Sequence, residues 1–219
     1  MTYVKASVRR PAGNPGNGIQ PKDQLVIYDV DDILSFPPRN EAGVVIEEDI
    51  VMKAGRYAIS IYLTPGTAEI SSNSDGETDA EGYTPSVKFN HPGNEQEIRE
   101  FKTNWLSKKC IVVLRYCSGK PADLIGTPCN PCKLSVSYTG SNESNTNELT
   151  FTQISKGDDI AIYRGTDTLE EPVAVVEAGA TDIDYQTDGQ YQLSAGAAKI
   201  AGVTGGSHGS VITLSLIHI

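Results

Sequence analysis

"HPGNEQEIREFKTNWLSKKCIVVLRYC", His91 to Cys117, holds one helical signal and one extended signal side by side. In its first half Ile98, Phe101 and Trp105 recur at spacings of three and four, so a helix carries them on one face. Asn94 stands where an N-cap would, and Glu97 follows three residues on, as in a capping box. Lys108 and Lys109 close the segment where cations suit the negative end of the helix dipole. The spacing predicts one helix over about residues 94–106. The second half, "KCIVVLRYC", is the most apolar strand signal in the chain. The helix is expected to lay its apolar face, Trp105 included, on a sheet.

Outward from this stretch the chain reads as strands and turns. Leu25 to Val30 forms a strand, "SFPPRNEAG" a turn region, and "VVIEEDIVMKAGRYAISIYL" a hairpin bent at Lys53-Ala54-Gly55-Arg56. Tyr57, Ile59, Ile61 and Leu63 alternate with Ala58, Ser60 and Tyr62, the period of a strand with one face inward. "CKLSVSY" and "ELTFTQI" follow the apolar strand, joined by the polar "TGSNESNTN". The 21 Gly, 12 Pro and 10 Tyr, set against a single Trp, favour strands and turns over helices. The expected fold is mainly β: an antiparallel β-sandwich or barrel with one flanking helix, plus a small C-terminal all-β part.

Three regions are expected among the 219 residues. Residues 1–22, rich in Pro, Gly and Asn, form an extended arm. Residues 23–155 form the β-sandwich core with the helix. Residues 156–219, with short strands such as "DIAIYRG", "PVAVVEA" and "SVITLSLIHI", form a small β domain or continue the same sandwich. Asp188-Gly189 and Gly205-Gly206 mark turns there, and no fixed-period repeat is visible. Residues 64–86 are polar and acidic and are expected to form a long loop that projects toward a neighbouring subunit.

The net charge of −10 argues against a protein that grips nucleic-acid phosphates, which takes clustered Lys and Arg. The basic N-terminal stretch has no apolar h-region, so no signal peptide is read, and no run is long enough to span a membrane. Synthesis in the cytosol, with reduced cysteines, is expected.

No pattern of reactive residues has the spacing its chemistry needs. Only Cys129 and Cys132 of the four cysteines are close in sequence, whereas a structural zinc site pairs two close knuckles. Cys110 and Cys117 are an odd separation apart on one strand and so face opposite ways. Cys132 enters a strand rather than a helix N-terminus, which removes the dipole a redox C-x-x-C uses. Buried, inert thiols are the favoured reading. Asn73, Asp75, Glu77 and Asp79 suggest calcium, but no Glu stands at the twelfth position of the EF-hand register. "GGSHG" at 205–209 matches G-x-S-x-G around Ser207 and His208, yet no Asp or Glu follows to complete a triad. His91, His208 and His218 are scattered, and Asp29 to Asp32 read as a solvated turn. No P-loop or dinucleotide fingerprint is present. No catalytic residue, cofactor or metal is assigned, and the chain is expected not to be an enzyme.

The stretches "DVDDILSFPPRNEAG", "IYLTP", "FNHPGNEQEIREF", "VVLRYCSG" and "LIGTPCNPCKLSVSY" together resemble virion structural proteins of tailed phages and prophages, of the tail-tube type. The resemblance covers roughly residues 22–155. It implies a β-sandwich with one flanking helix, and subunits that close into rings and stack into a tube. The expected partners are therefore further copies of the chain and other virion proteins, with DNA sliding through an acidic lumen it does not stick to, and no membrane. The protein would be made in the bacterial cytoplasm and end in the virion tail. Alternatives are a capsid decoration or connector protein, a carbohydrate- or protein-binding β-module using Tyr163, Tyr185 and Tyr191, and a small metalloprotein using the cysteines.

Overall fold

A strand that is apolar on both sides must lie between two packed layers, and Cys110–Tyr116 does so. A computed structural model describes residues 6–14, 16–142 and 144–169, together with the backbone of five short strands between 174 and 216. The strands are β1 Pro21–Asp29, β2 Ile33–Ser35, β3 Val45–Ile46, β4 Val51–Met52, β5 Ile59–Tyr62, β6 Glu69–Asp75, β7 Gly82–Pro92, β8 Cys110–Tyr116, β9 Ala122–Ile125, β10 Cys132–Gly140, β11 Asn145–Gln153 and β12 Ala161–Tyr163. One α-helix, α1 Gln96–Trp105, joins β7 to β8.

These strands form two layers. The first runs β5-β1-β8-β9-β12-β3, and the second β10-β11-β7-β6. They join where Cys132 of β10 pairs with Cys110 of β8. Neighbours are antiparallel except β3 and β12. Between the layers lie Leu25, Ile27, Val112 and Leu114 from one side, and Val87, Phe89, Leu149 and Phe151 from the other. On the far face of the first layer, Val26, Tyr28, Ile111, Val113 and Leu124 pack with Ile46, Ile50 and Tyr163. β8 therefore buries successive residues on opposite faces, which is why "CIVVL" shows no alternation. The second layer is half-exposed and alternates cleanly, as in β7 with Val87 and Phe89 buried between partly exposed Ser86, Lys88 and Asn90.

Several local expectations are corrected. The bend at Lys53–Arg56 exists, with Gly55 at φ +70° and the Arg56 N–H donating to the Lys53 carbonyl, but it does not make a hairpin. β4 pairs with β2, and β5 with β1, because those partners place Met52 and Ile61 against two different cores. Residues 64–86 are mostly not a loop: β6 and β7 pair from Glu69–Lys88 to Asp75–Gly82. Ser and Asn hide a strand whose one inward apolar side chain is Ile70.

The helix carries its expected face. Ile98 is buried, and Phe101 and Trp105 stack at 5.7 Å between ring centroids against the inter-layer core. Its N-cap is Glu95, without a side-chain cap bond, rather than Asn94. Asn94 Oδ1 instead accepts from Lys102 Nζ at 3.0 Å. Lys102 Nζ also donates to Asn147 Oδ1, and Asn147 Nδ2 donates to the Gly93 carbonyl, both at 2.6 Å. Asn147 is fully buried. Replacing it, Asn147→Ala, is expected to lower stability by about 1–3 kcal/mol, because the Gly93 carbonyl loses its donor and the Lys102 ammonium an acceptor. Urea unfolding followed by Trp105 emission reads this, since Trp105 is the single Trp.

The chain forms two compact units, Met1–Leu169 and Glu170–Ile219. The sequence leaves residues 156–219 as a small β domain or a continuation of the sandwich, and β12, by pairing with β9 and β3, continues the sandwich. In the second unit, β13 Ala174–Val176, β15 Gln190–Leu193 and β17 Thr213–Leu216 pair in parallel, as do β14 Asp182–Asp184 and β16 Gly202–Thr204. Each strand thus pairs with the next but one in sequence. Unequal lengths of chain separate the paired strands, so no fixed period results.

Candidate functional site

Two surface segments of opposite charge stand out. Every described residue from Ala6 to Gln20 is exposed, and Val8 is 97% exposed. Among its described residues the segment is tied to the fold where it enters β1, with the Cys117 N–H donating to the Gln20 carbonyl at 3.0 Å. Residues 1–22 contain Lys5, Arg9, Arg10 and Lys22 and no acid.

The β6–β7 hairpin is the reverse. Residues 69–81 contain Glu69, Asp75, Glu77, Asp79 and Glu81 and no base. Gly76 starts the tip at φ +143°, where a Cβ would fall 2.2 Å from the Ala80 carbonyl, so the turn requires glycine. Asp79 is held at φ +71°. Glu69 pairs with Lys88, and Asp75 with Lys156. The Lys156 bond and the Gly76 N–H hold the Asp75 carboxyl below the usual range. Glu77, Asp79 and Glu81 have no ion-pair partner among the described residues. No described strand pairs with the outer edge of β6. An unpaired edge offers a row of backbone donors and acceptors, and its carboxylates repel a second edge of the same kind.

Inside the first unit a polar cluster anchors residues 164–169. The Tyr28 hydroxyl donates to Asp167 Oδ1 at 2.6 Å, and Arg115 Nε donates to Asp167 Oδ2. Arg115 also reaches the Gly165 carbonyl at 2.7 Å and lies over the Tyr163 ring. Burial, then the Asp167 charge, pushes the Tyr28 phenol well up. Burial likewise raises Tyr163. Tyr163 is fully buried, so it is not the exposed aromatic platform that the binding-module alternative needs.

The chain matches no family model, no curated protein and no solved structure. Its own residues must carry the functional argument.

The remaining sequence candidates sit as follows. Asp29 to Asp32 meet bases: Asp29 binds Lys108 and caps a 3-10 turn through the Asp31 N–H, and Asp32 pairs with Arg56 at 3.4 Å. Asn73 and Asp75 lie on β6 and Glu77 and Asp79 in the tip, and no cluster of three or more metal-ligating side chains occurs among the described residues. His91 Nδ1 donates to the Tyr62 carbonyl at 2.9 Å. The Cys129–Cys132 pair is split: Cys132 is buried, but Cys129 is exposed, correcting the expectation that both are buried. Cys129 lines a cavity of about 460 Å³ with Phe36, Pro38, Arg39 and Asp158. Burial lowers the Arg39 guanidinium, which donates to the Gly43 and Asp159 carbonyls. Tyr185, Ser207, His208 and His218, and the side chain of Tyr191, lie outside the described residues.

The sequence reading missed the pairing of Cys110 with Cys132 and the convergence on Asp167. Tyr28 and Asp167 are 139 residues apart. No local pattern signals either.

Proposed function

We propose that the chain is a non-enzymatic virion structural subunit of the tail-tube type that assembles with copies of itself. The observation that carries this is the charge match between the exposed, acid-free arm and the base-free stretch 69–81 of the hairpin, with its open β6 edge. An extended basic segment that adds to an acidic edge gains main-chain hydrogen bonds and pairs Arg9 and Arg10 with Glu77, Asp79 and Glu81. The same carboxylates oppose β6-to-β6 pairing, which would end in closed dimers. Arm to edge is a head-to-tail contact, and such contacts close into rings when the rotation allows. The resemblance over residues 22–155 supports the tube, and the net charge of −10 suits a lumen that DNA passes without adhering.

Negative-stain electron microscopy and light scattering on the concentrated full chain test this. Rings or tubes with a central hole are expected, dispersing as salt rises because surface charges are screened within about 10 Å at 0.1 M. Arg9→Glu with Arg10→Glu is expected to abolish them, and adding Glu77→Lys with Asp79→Lys to restore them. A strict monomer at high concentration overturns the proposal.

A further inference from the structure

Cys110 and Cys132 face each other across the seam between the two layers. They are direct partners in the antiparallel register, and Cys110 Sγ lies 3.4 Å from the Cys132 carbonyl oxygen. Direct antiparallel partners have Cα atoms about 4.5–5.5 Å apart, inside the window of about 4.4–6.8 Å that a disulfide spans. Gly126, at φ +93°, stands beside the sulfur: a Cβ there would lie 3.2 Å from Cys132 Sγ, so glycine leaves that space clear. Both cysteines are free thiols.

We propose that Cys110 and Cys132 are a disulfide-forming site, which oxidation closes to stitch the two layers together. The inference rests on these contacts and not on the self-assembly reading. Both thiols are fully buried, and burial pushes Cys110 up to about 12 and Cys132 higher still, so neither reacts while the fold is closed. Their position supplies the access. Each is the first residue of its strand, Cys110 after the exposed Leu106–Lys109 and Cys132 after the Thr127–Asn130 turn. Access comes from the Cys110 end, where the exposed Leu106–Lys109 segment opens at lower cost than the core, whereas Cys132 follows the buried Pro131.

The oxidant is a small peroxide. The thiolate exposed first attacks the peroxide O–O bond, giving a sulfenic acid and, after protonation, one water. The facing thiol then displaces the sulfenyl hydroxyl as a second water and forms the S–S bond. Two thiols lose two hydrogens, and one peroxide is reduced to two waters. The cross-link closes the loop between residues 110 and 132 and constrains the unfolded chain.

The full chain is treated with hydrogen peroxide, denatured with N-ethylmaleimide to block remaining thiols, digested and mapped by mass spectrometry. A Cys117→Ser/Cys129→Ser variant runs in parallel, since both of those thiols are exposed. Expected are a linked Cys110–Cys132 peptide pair in both proteins, two hydrogens lighter than the reduced peptides, and a melting temperature raised by roughly 5–10 °C. Dithiothreitol reverses both, and Cys110→Val abolishes both. Recovery of Cys132 linked to Cys129, or of Cys110 and Cys132 as thiols or sulfinic acids without a link, overturns the proposal.

Discussion

Asp167→Ala lowers the unfolding free energy of the sandwich unit by roughly 3–5 kcal/mol, the usual cost of removing one partner from a buried ion pair. The Asp167 side chain is 6% exposed and is bound by Arg115 and by the fully buried Tyr28. Without it the Arg115 guanidinium keeps its charge but loses its counter-ion, and the Tyr28 hydroxyl loses its carboxylate acceptor. Residues 164–169 then keep the Arg115 bond to the Gly165 carbonyl, the Thr166 N–H bond to Asp49 and the Ala58 N–H bond to the Thr168 carbonyl. Glu47→Ala is the control. Glu47 also pairs with an arginine, Arg164, but both side chains are more than half exposed, so a loss of about 0–1 kcal/mol is expected. Urea unfolding by Trp105 emission reports on the sandwich alone. A loss below about 1 kcal/mol for Asp167→Ala would mean that water replaces the carboxylate, and the anchoring role fails.

The class of the fold was legible because it rests on local period. The alternation of Ile59 and Ile61, the unbroken "CIVVL" and the Ile98–Phe101–Trp105 face each describe one element and its burial. Strand pairing was less legible. "IVMKAGRYAISIYL" has the chemistry of a hairpin, and its turn forms, but β1 and β2 arrive from earlier in the chain and take the two arms separately. The polar β6 escaped because its edge is exposed, and exposed edges need no apolar alternation. The candidate surface was half legible. The arm and the acidic stretch were visible as composition, whereas their opposition as an exposed segment and an open strand edge needed the sheet. The Asp167 cluster and the Cys110–Cys132 contact depend on tertiary pairing and left no trace in residue spacing.

Phe151→Ala is expected to cost about 3–5 kcal/mol, the range for emptying a packed aromatic site in a core. Phe151 and Phe89 are fully buried between the layers, with ring centroids 6.3 Å apart and planes 13° from parallel. They are diagonal neighbours on adjacent strands: Phe89 is in register with Leu149, and Phe151 with Val87. Such diagonals lie within reach of aromatic rings, so the pair adds to the area each ring buries. The cavity cannot collapse easily, because the rings fill the space between two hydrogen-bonded sheets whose spacing the remaining side chains fix. Phe151→Leu keeps most of the volume and should cost clearly less, and Leu34→Ala, at a site 66% exposed, should cost almost nothing. The three are measured as shifts in urea midpoint at unchanged slope. If Phe151→Ala and Leu34→Ala shift the midpoint equally, the two layers do not enclose the core described.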